Sequence, residues 1–95
     1  MTLKARLAAR EPTLATFIKT PHPAVVEVLA MSPLHALILD AEHAPFDRTQ
    51  LDLCVLAARA GGKEVLIRPE SATAEHLLQA LDLGATGVIA PHVKS

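Results

Sequence analysis

"LILDAEHAPFD", Leu37 to Asp47, is the stretch that decides the fold. An apolar run, Leu37-Ile38-Leu39, stops at Asp40, and Glu42 and His43 follow directly, before Ala44-Pro45. On a solvated helix face such residues would be spread at a period of 3.6. Here they collect straight after a strand-like run. Asp47 then stands three residues before Gln50, the spacing of a capping box that opens a helix. The stretch reads as strand, polar loop, helix.

The same rhythm continues on both sides. Met1 to Arg10, with Leu3 and Leu7 at i,i+4, reads as a short amphipathic helix, and Leu14 to Lys19 as a strand. Thr20-Pro21-His22-Pro23 is a turn whose last proline is placed to open the helix "AVVEVLAM", which stops before Ser32-Pro33. Leu34 to Leu39 is the second strand. The helix that Asp47 starts turns Leu51, Cys54, Val55 and Ala58 to one face and ends at Gly61-Gly62. Glu64 to Ile67 is a third strand, closed by Arg68-Pro69. Ser71 or Thr73 caps a further helix, with Leu77, Leu78 and Leu81 inward and Gly84 at its end. Gly87 to Ala90 is a fourth strand, closed by Pro91.

The order α-β-α-β-α-β-α-β with short connections implies an α/β fold of parallel strands joined by right-handed crossovers. The strands are mostly continuous apolar runs, as expected where both faces are covered. Residues 1–95 read as one domain.

Composition narrows the function classes. Net charge is -1, there is no basic block, and no Trp or Tyr is available for base stacking, so the expectation is no nucleic-acid partner. No apolar run approaches the ~20 residues of a membrane span, and the N-terminus has no apolar signal core. The single cysteine, Cys54, gives no internal disulfide framework. The expectation is a cytoplasmic protein without a membrane partner. Hydrophobic residues make up 51% of the chain, high for its size, which points either to strands buried on both faces or to surface covered by more protein, and a homo-oligomer is the expected assembly.

In parallel α/β folds chemistry sits at the carboxyl ends of the strands. The polar residues collect there: Lys19-Thr20, Asp40 to His43, Arg68, and Pro91-His92. The acid–imidazole cluster and the arginine would face one mouth.

"LDAEHAPFD", "VLIRPESA" and "ALDLGATGVIAPHV" together resemble the HpcH/HpaI aldolase and citrate lyase family, from about Leu3 to the last residue. The resemblance implies a (β/α)8 barrel and a metal-dependent (class II) pyruvate aldolase. Such an enzyme cleaves a 4-hydroxy-2-oxo acid, a small-molecule substrate, to pyruvate and an aldehyde, with Mg2+, Mn2+ or Co2+ as cofactor. It implies that His43 is the acid/base residue, that Arg68 binds substrate at the keto oxygen of pyruvate, and that Asp82 pairs with the histidine. Asp40 and Glu42 match acids that support the metal from its second layer of neighbours. Phe17 stands where many members have Trp. The family's direct metal ligands follow its fifth and sixth strands. The chain is therefore expected to be the N-terminal half of a barrel, stopping after the fourth strand, with the metal ligands beyond Ser95.

Other readings of the same residues stand beside these. His43 could cap loop backbone, Arg68 could pair with Glu70 or Glu64, and Asp40 and Glu42 could be solvated acids or direct ligands. Asp82 sits near the end of a helix, away from the mouth, so its pairing with His43 would have to cross a subunit boundary. Cys54 reads as core. A non-catalytic half-barrel that self-associates, and a citrate lyase-like or malyl-CoA lyase-like member, are the alternative functions.

Overall fold

The second strand, Ala36–Asp40 (β2), has every residue buried and organises the rest of the chain. The computed structural model describes residues 2–71 and 73–89, apart from the side chains of Ala74, Leu77 and Leu81. Around β2 the chain runs as α1 (Leu3–Ala8), β1 (Ala15–Ile18), α2 (Pro23–Ala30), β2, α3 (Arg48–Ala60), β3 (Glu64–Arg68), α4 (Ala74–Asp82) and β4 (Gly87–Val88). The four strands form one parallel sheet in the order β1-β2-β3-β4. Sequential order with a helix between successive strands is the winding of a (β/α)8 barrel, here through four strands. The expected α/β class and alternation are found.

Register explains the two faces. Thr16, Leu37 and Val65 form one cross-strand row, and Ile18, Leu39, Ile67 and Val88 form another. Leu37, Leu39, Val65 and Ile67 pack with Val26 of α2 and with Cys54, Val55 and Ala58 of α3 into the core. Burying side chains of this size contributes roughly 1.5–3 kcal/mol each. The opposite face carries Phe17, Ile38, Leu66 and Gly87 in one row and Asp40 beside Arg68 in the next. No described helix covers β1 on that side, and Phe17 is exposed. The continuous-run reading thus holds for β2, whereas β3 alternates between buried and half-buried.

The ends of the elements follow local chemistry. Pro23 stands at the start of α2, and the His22 side chain accepts from Ala24 N–H. Asp47 and Gln50 form the expected capping box on α3, and Leu51, Cys54, Val55 and Ala58 are its buried face. The first helix is shorter than expected. Arg10 adopts a left-handed φ of 56°, Glu11 N–H donates to Arg6 C=O and Arg10 N–H to Leu7 C=O, the closure of a Schellman motif. Two strand ends also differ. Asp40 and Arg68 belong to β2 and β3 instead of following them, because Ala41 N–H continues the ladder by donating to Arg68 C=O. Leu78 is exposed and not inward, since the phase of α4 buries Ala80. Leu77, Leu81, Ala90, Pro91 and His92 were read as core, strand and mouth residues, and those features lie outside the described residues.

The end of α2 meets the cap of α3 at Gly61, where a Cβ would stand 2.5 Å from Ala30 Cβ. Gly61→Ala is expected to force the two helices apart and cost about 1–3 kcal/mol. Adding Ala30→Gly restores the space, so the double variant should be more stable than the two single losses summed. Urea denaturation of the four chains measures that coupling, and simple additivity would show that the helices do not meet there.

Candidate active site

Asp40 ends β2 with its side chain fully buried, and a buried carboxylate is tolerated only when it is paired and hydrogen-bonded. Its Oδ1 accepts from the backbone N–H of Glu42 at 3.1 Å and of His43 at 3.0 Å. The same oxygen accepts from Arg68 Nε at 3.1 Å, and Oδ2 accepts from Arg68 Nη2 at 2.6 Å. One side chain thus folds the loop that carries Glu42 and His43 and grips the arginine of the next strand as a two-pronged fork. The Arg68 hydrogen bonds hold the Asp40 pKa down at about 2, against the upward push of burial, and the His43 and Glu42 amides help. Asp40 in turn raises that of Arg68.

Arg68 leans back across β2. Its Cζ lies 4.5 Å from the centroid of the Phe17 ring on β1. Glu42 Oε1 stands 3.3 Å from Arg68 Nε and 3.3 Å from His43 Nε2, so one carboxylate oxygen lies beside both the guanidinium and the imidazole. The His43 side chain is 55% exposed and that of Glu42 8%. The mouth therefore presents an accessible imidazole on a loop whose acids are turned inward.

Of the residues singled out in the sequence, the structure brings together Asp40, Glu42, His43 and Arg68. It does not bring Asp82 to them. That residue is exposed on the last turn of α4, which leads to the start of β4 and so to the opposite end of the sheet. Arg68 pairs with Asp40 and Glu42, not with Glu70 or Glu64. Glu64 instead accepts from Leu3 N–H at 2.8 Å and ties down α1. Asp40 is thereby neither a solvated acid nor placed as a direct metal ligand, since both its oxygens face Arg68. Among the described residues no three His, Cys, Asp or Glu side chains are placed to hold a metal ion. Cys54 is core, its thiol pushed up to about 11 by burial.

Two features escaped the sequence reading: the Asp40–Arg68 fork and the Phe17 contact. The first had a signal. "LILD" and "VLIR" are apolar runs of equal length ending in opposite charges, and parallel pairing in register sets the two charges side by side.

No family model matches the chain. It is 32% identical over 84 residues to a hydroxypyruvate/pyruvate aldolase of Rhizorhabdus wittichii, an alignment that covers 88% of this chain and 34% of that protein. Among solved structures, an HpcH/HpaI aldolase from Desulfitobacterium hafniense superposes with a TM-score of 0.87 at 31% identity, covering 100% of this chain and 37% of that one. The citrate synthase SbnG superposes with a TM-score of 0.91 at 31% identity, covering 99% and 38%. The chain spans about a third of the length of the curated relatives it matches.

The depressed pKa makes the cluster acid-sensitive. Because folding lowers the Asp40 pKa, its charge stabilises the folded chain above about pH 5, and that contribution disappears as the pH falls through about 4 towards 2. A shift from 3.8 to about 2 corresponds to about 2 kcal/mol. Urea midpoints measured from pH 6 to pH 2 should fall for the wild-type chain. Asp40→Asn should be less stable at pH 6 and flatter over the same range. Equal slopes in the two would show that other groups carry the acid sensitivity.

Proposed function

We propose that this chain, which is similar in sequence and fold to the HpcH/HpaI aldolases, forms the acid–base end of a carbon–carbon lyase. The reaction is retro-aldol cleavage of a 4-hydroxy-2-oxo acid to pyruvate and an aldehyde. One observation carries the reading. The buried Asp40 fixes the Arg68 guanidinium and the backbone of His43 at the same time, at the carboxyl ends of β2 and β3. Likeness to aldolases of this family gives the reaction class.

The chemistry asks for the two groups found there. His43 takes the proton from the substrate's 4-hydroxyl, the C3–C4 bond breaks to release the aldehyde, and its electron pair moves onto the keto oxygen of pyruvate as an enolate. Imidazole is suited to the proton transfer near neutral pH. Arg68 donates to the keto oxygen, and a donor already fixed in direction needs no reorganisation as charge develops. Within this chain the carboxylate beside the imidazole is Glu42, and a partnership of Asp82 with His43 would come from another copy. The described residues do not by themselves make a centre for Mg2+, Mn2+ or Co2+, so Asp40 and Glu42 would serve such an ion only from behind its ligands. The likeness to a citrate synthase favours a second reading, in which the same enolate is used for bond formation.

In the enzyme that contains this chain, His43→Ala is expected to lower kcat for pyruvate release by about 10²–10⁴-fold. Arg68→Lys should impair both KM and kcat, because a point charge does not reproduce the planar fork. A near-normal kcat in His43→Ala at neutral pH would remove the base from this scheme.

The proposal extends to assembly. No helix in the described residues is long and apolar enough to cross a membrane, yet Val28, Met31 and Leu56 are 68%, 87% and 64% exposed. A second copy of the chain is the partner proposed for that surface. Sedimentation equilibrium at micromolar concentration should give a mass above the monomer, and Met31→Glu with Leu56→Glu should lower it. A stable wild-type monomer would sink the idea.

A further inference from the structure

Arg68 is held by more than its two carboxylate partners, Asp40 and Glu42. Phe17 lies on β1, two strands from β3, and parallel strands stand about 4.8 Å apart. To bring its Cζ to 4.5 Å from the Phe17 ring, the arginine has to lie across β2, where Asp40 grips it. Phe17 itself is 44% exposed, on the face of the sheet turned away from α2 and α3, so helix packing does not account for an aromatic there. A ring offers a negative face to a cation, which an aliphatic side chain of similar bulk does not.

Resting on the reading of Arg68 as donor to a 2-oxo acid, we propose that Phe17 is a positioning residue for Arg68. The Asp40 fork sets the direction of the guanidinium edge through two bonds that lie along one line of oxygens. Such a fork by itself permits the plane of the guanidinium to tilt about that line, and Glu42 Oε1, 3.3 Å from Nε, restrains only the Nε end. The Phe17 ring, with Arg68 Cζ 4.5 Å from its centroid, restricts that tilt by contact with the guanidinium. The Arg68 side chain is still 21% exposed, so part of it faces the mouth, where a planar carboxylate or keto group would meet it in a fixed orientation. Any aromatic at this position that keeps a flat face under the guanidinium would do the same, and an aliphatic residue would fill the space without setting the plane.

The test compares wild type with Phe17→Leu and Phe17→Trp, in the enzyme that contains this chain, by NMR of the Arg68 Nε–H group alongside a titration with pyruvate. Exchange of that proton with water should be roughly two- to fivefold faster in Phe17→Leu, the population change a cation–π contact at a partly exposed site implies. In Phe17→Trp, exchange should be slower than in wild type, because indole is the better partner. Pyruvate should bind roughly two- to fivefold more weakly to Phe17→Leu than to wild type, following the same loss of orientation. Unchanged exchange in a folded Phe17→Leu overturns the proposal. If Phe17→Leu does not fold, the tryptophan variant decides, and exchange no slower than wild type overturns it. Should exchange respond as expected while pyruvate fails to bind even the wild-type enzyme that contains this chain, the positioning role of Phe17 is supported and the aldolase reading of Arg68 falls.

Discussion

Asp40 is a carboxylate without access to water, and the arrangement of the sheet's C-terminal edge follows from that one constraint. Burial of a carboxylate costs several kcal/mol, which only well-placed partners offset. The partners found are a guanidinium from the next strand and two amides from the loop that follows. Removing either partner of a buried pair leaves an uncompensated charge, typically at a cost of about 3–5 kcal/mol. The path of the Glu42–His43 loop and the direction of Arg68 are therefore coupled to folding. A site on a loop is usually less well fixed than one on a strand. Here the strand reaches into the loop through its last side chain.

The sheet is asymmetric in a way that suits such a site. One face is closed by α2 and α3 over the rows of Leu37 and Leu39, and this core sets the register of β2 against β3. A slip by one residue would send Leu37 and Leu39 to the other face and separate Asp40 from Arg68. The apolar core and the ionic cluster thus specify the same register.

Much of this was legible in the sequence because it rests on local signals. The alternation of elements, the capping box at Asp47 and Gln50, and the buried face of α3 follow from short-range spacing. So does the gathering of Asp40, Glu42, His43 and Arg68 at one end of the sheet. What escaped was set by contacts between elements. The pairing of Asp40 with Arg68 depends on register across 28 residues, and Phe17 meets Arg68 only by passing over an intervening strand. The phase of α4 was misread at Leu78 because Leu77, Leu78 and Leu81 fit several helical faces equally well. Asp82 falls at the far end of the sheet for a plain topological reason. A helix that returns from the end of one parallel strand to the start of the next finishes away from the mouth.

The cluster also shows why residue type and net charge have to be read separately. Asp40, Glu42 and Arg68 together carry one more formal negative charge than positive. An anionic 2-oxo acid therefore gains little from long-range attraction to this group of three. What Arg68 offers is direction: a planar donor held at one edge by Asp40, with its Cζ 4.5 Å from the Phe17 ring centroid. A donor of this kind discriminates by geometry, favouring an oxygen that lies in its plane. In the proposed reaction, charge developing on a keto oxygen would strengthen that hydrogen bond without moving it, so the contribution of Arg68 would grow as the carbon–carbon bond breaks. The neighbouring carboxylates, which would weaken binding of an anion in its ground state, keep the guanidinium in the orientation that the proposed transition state would use.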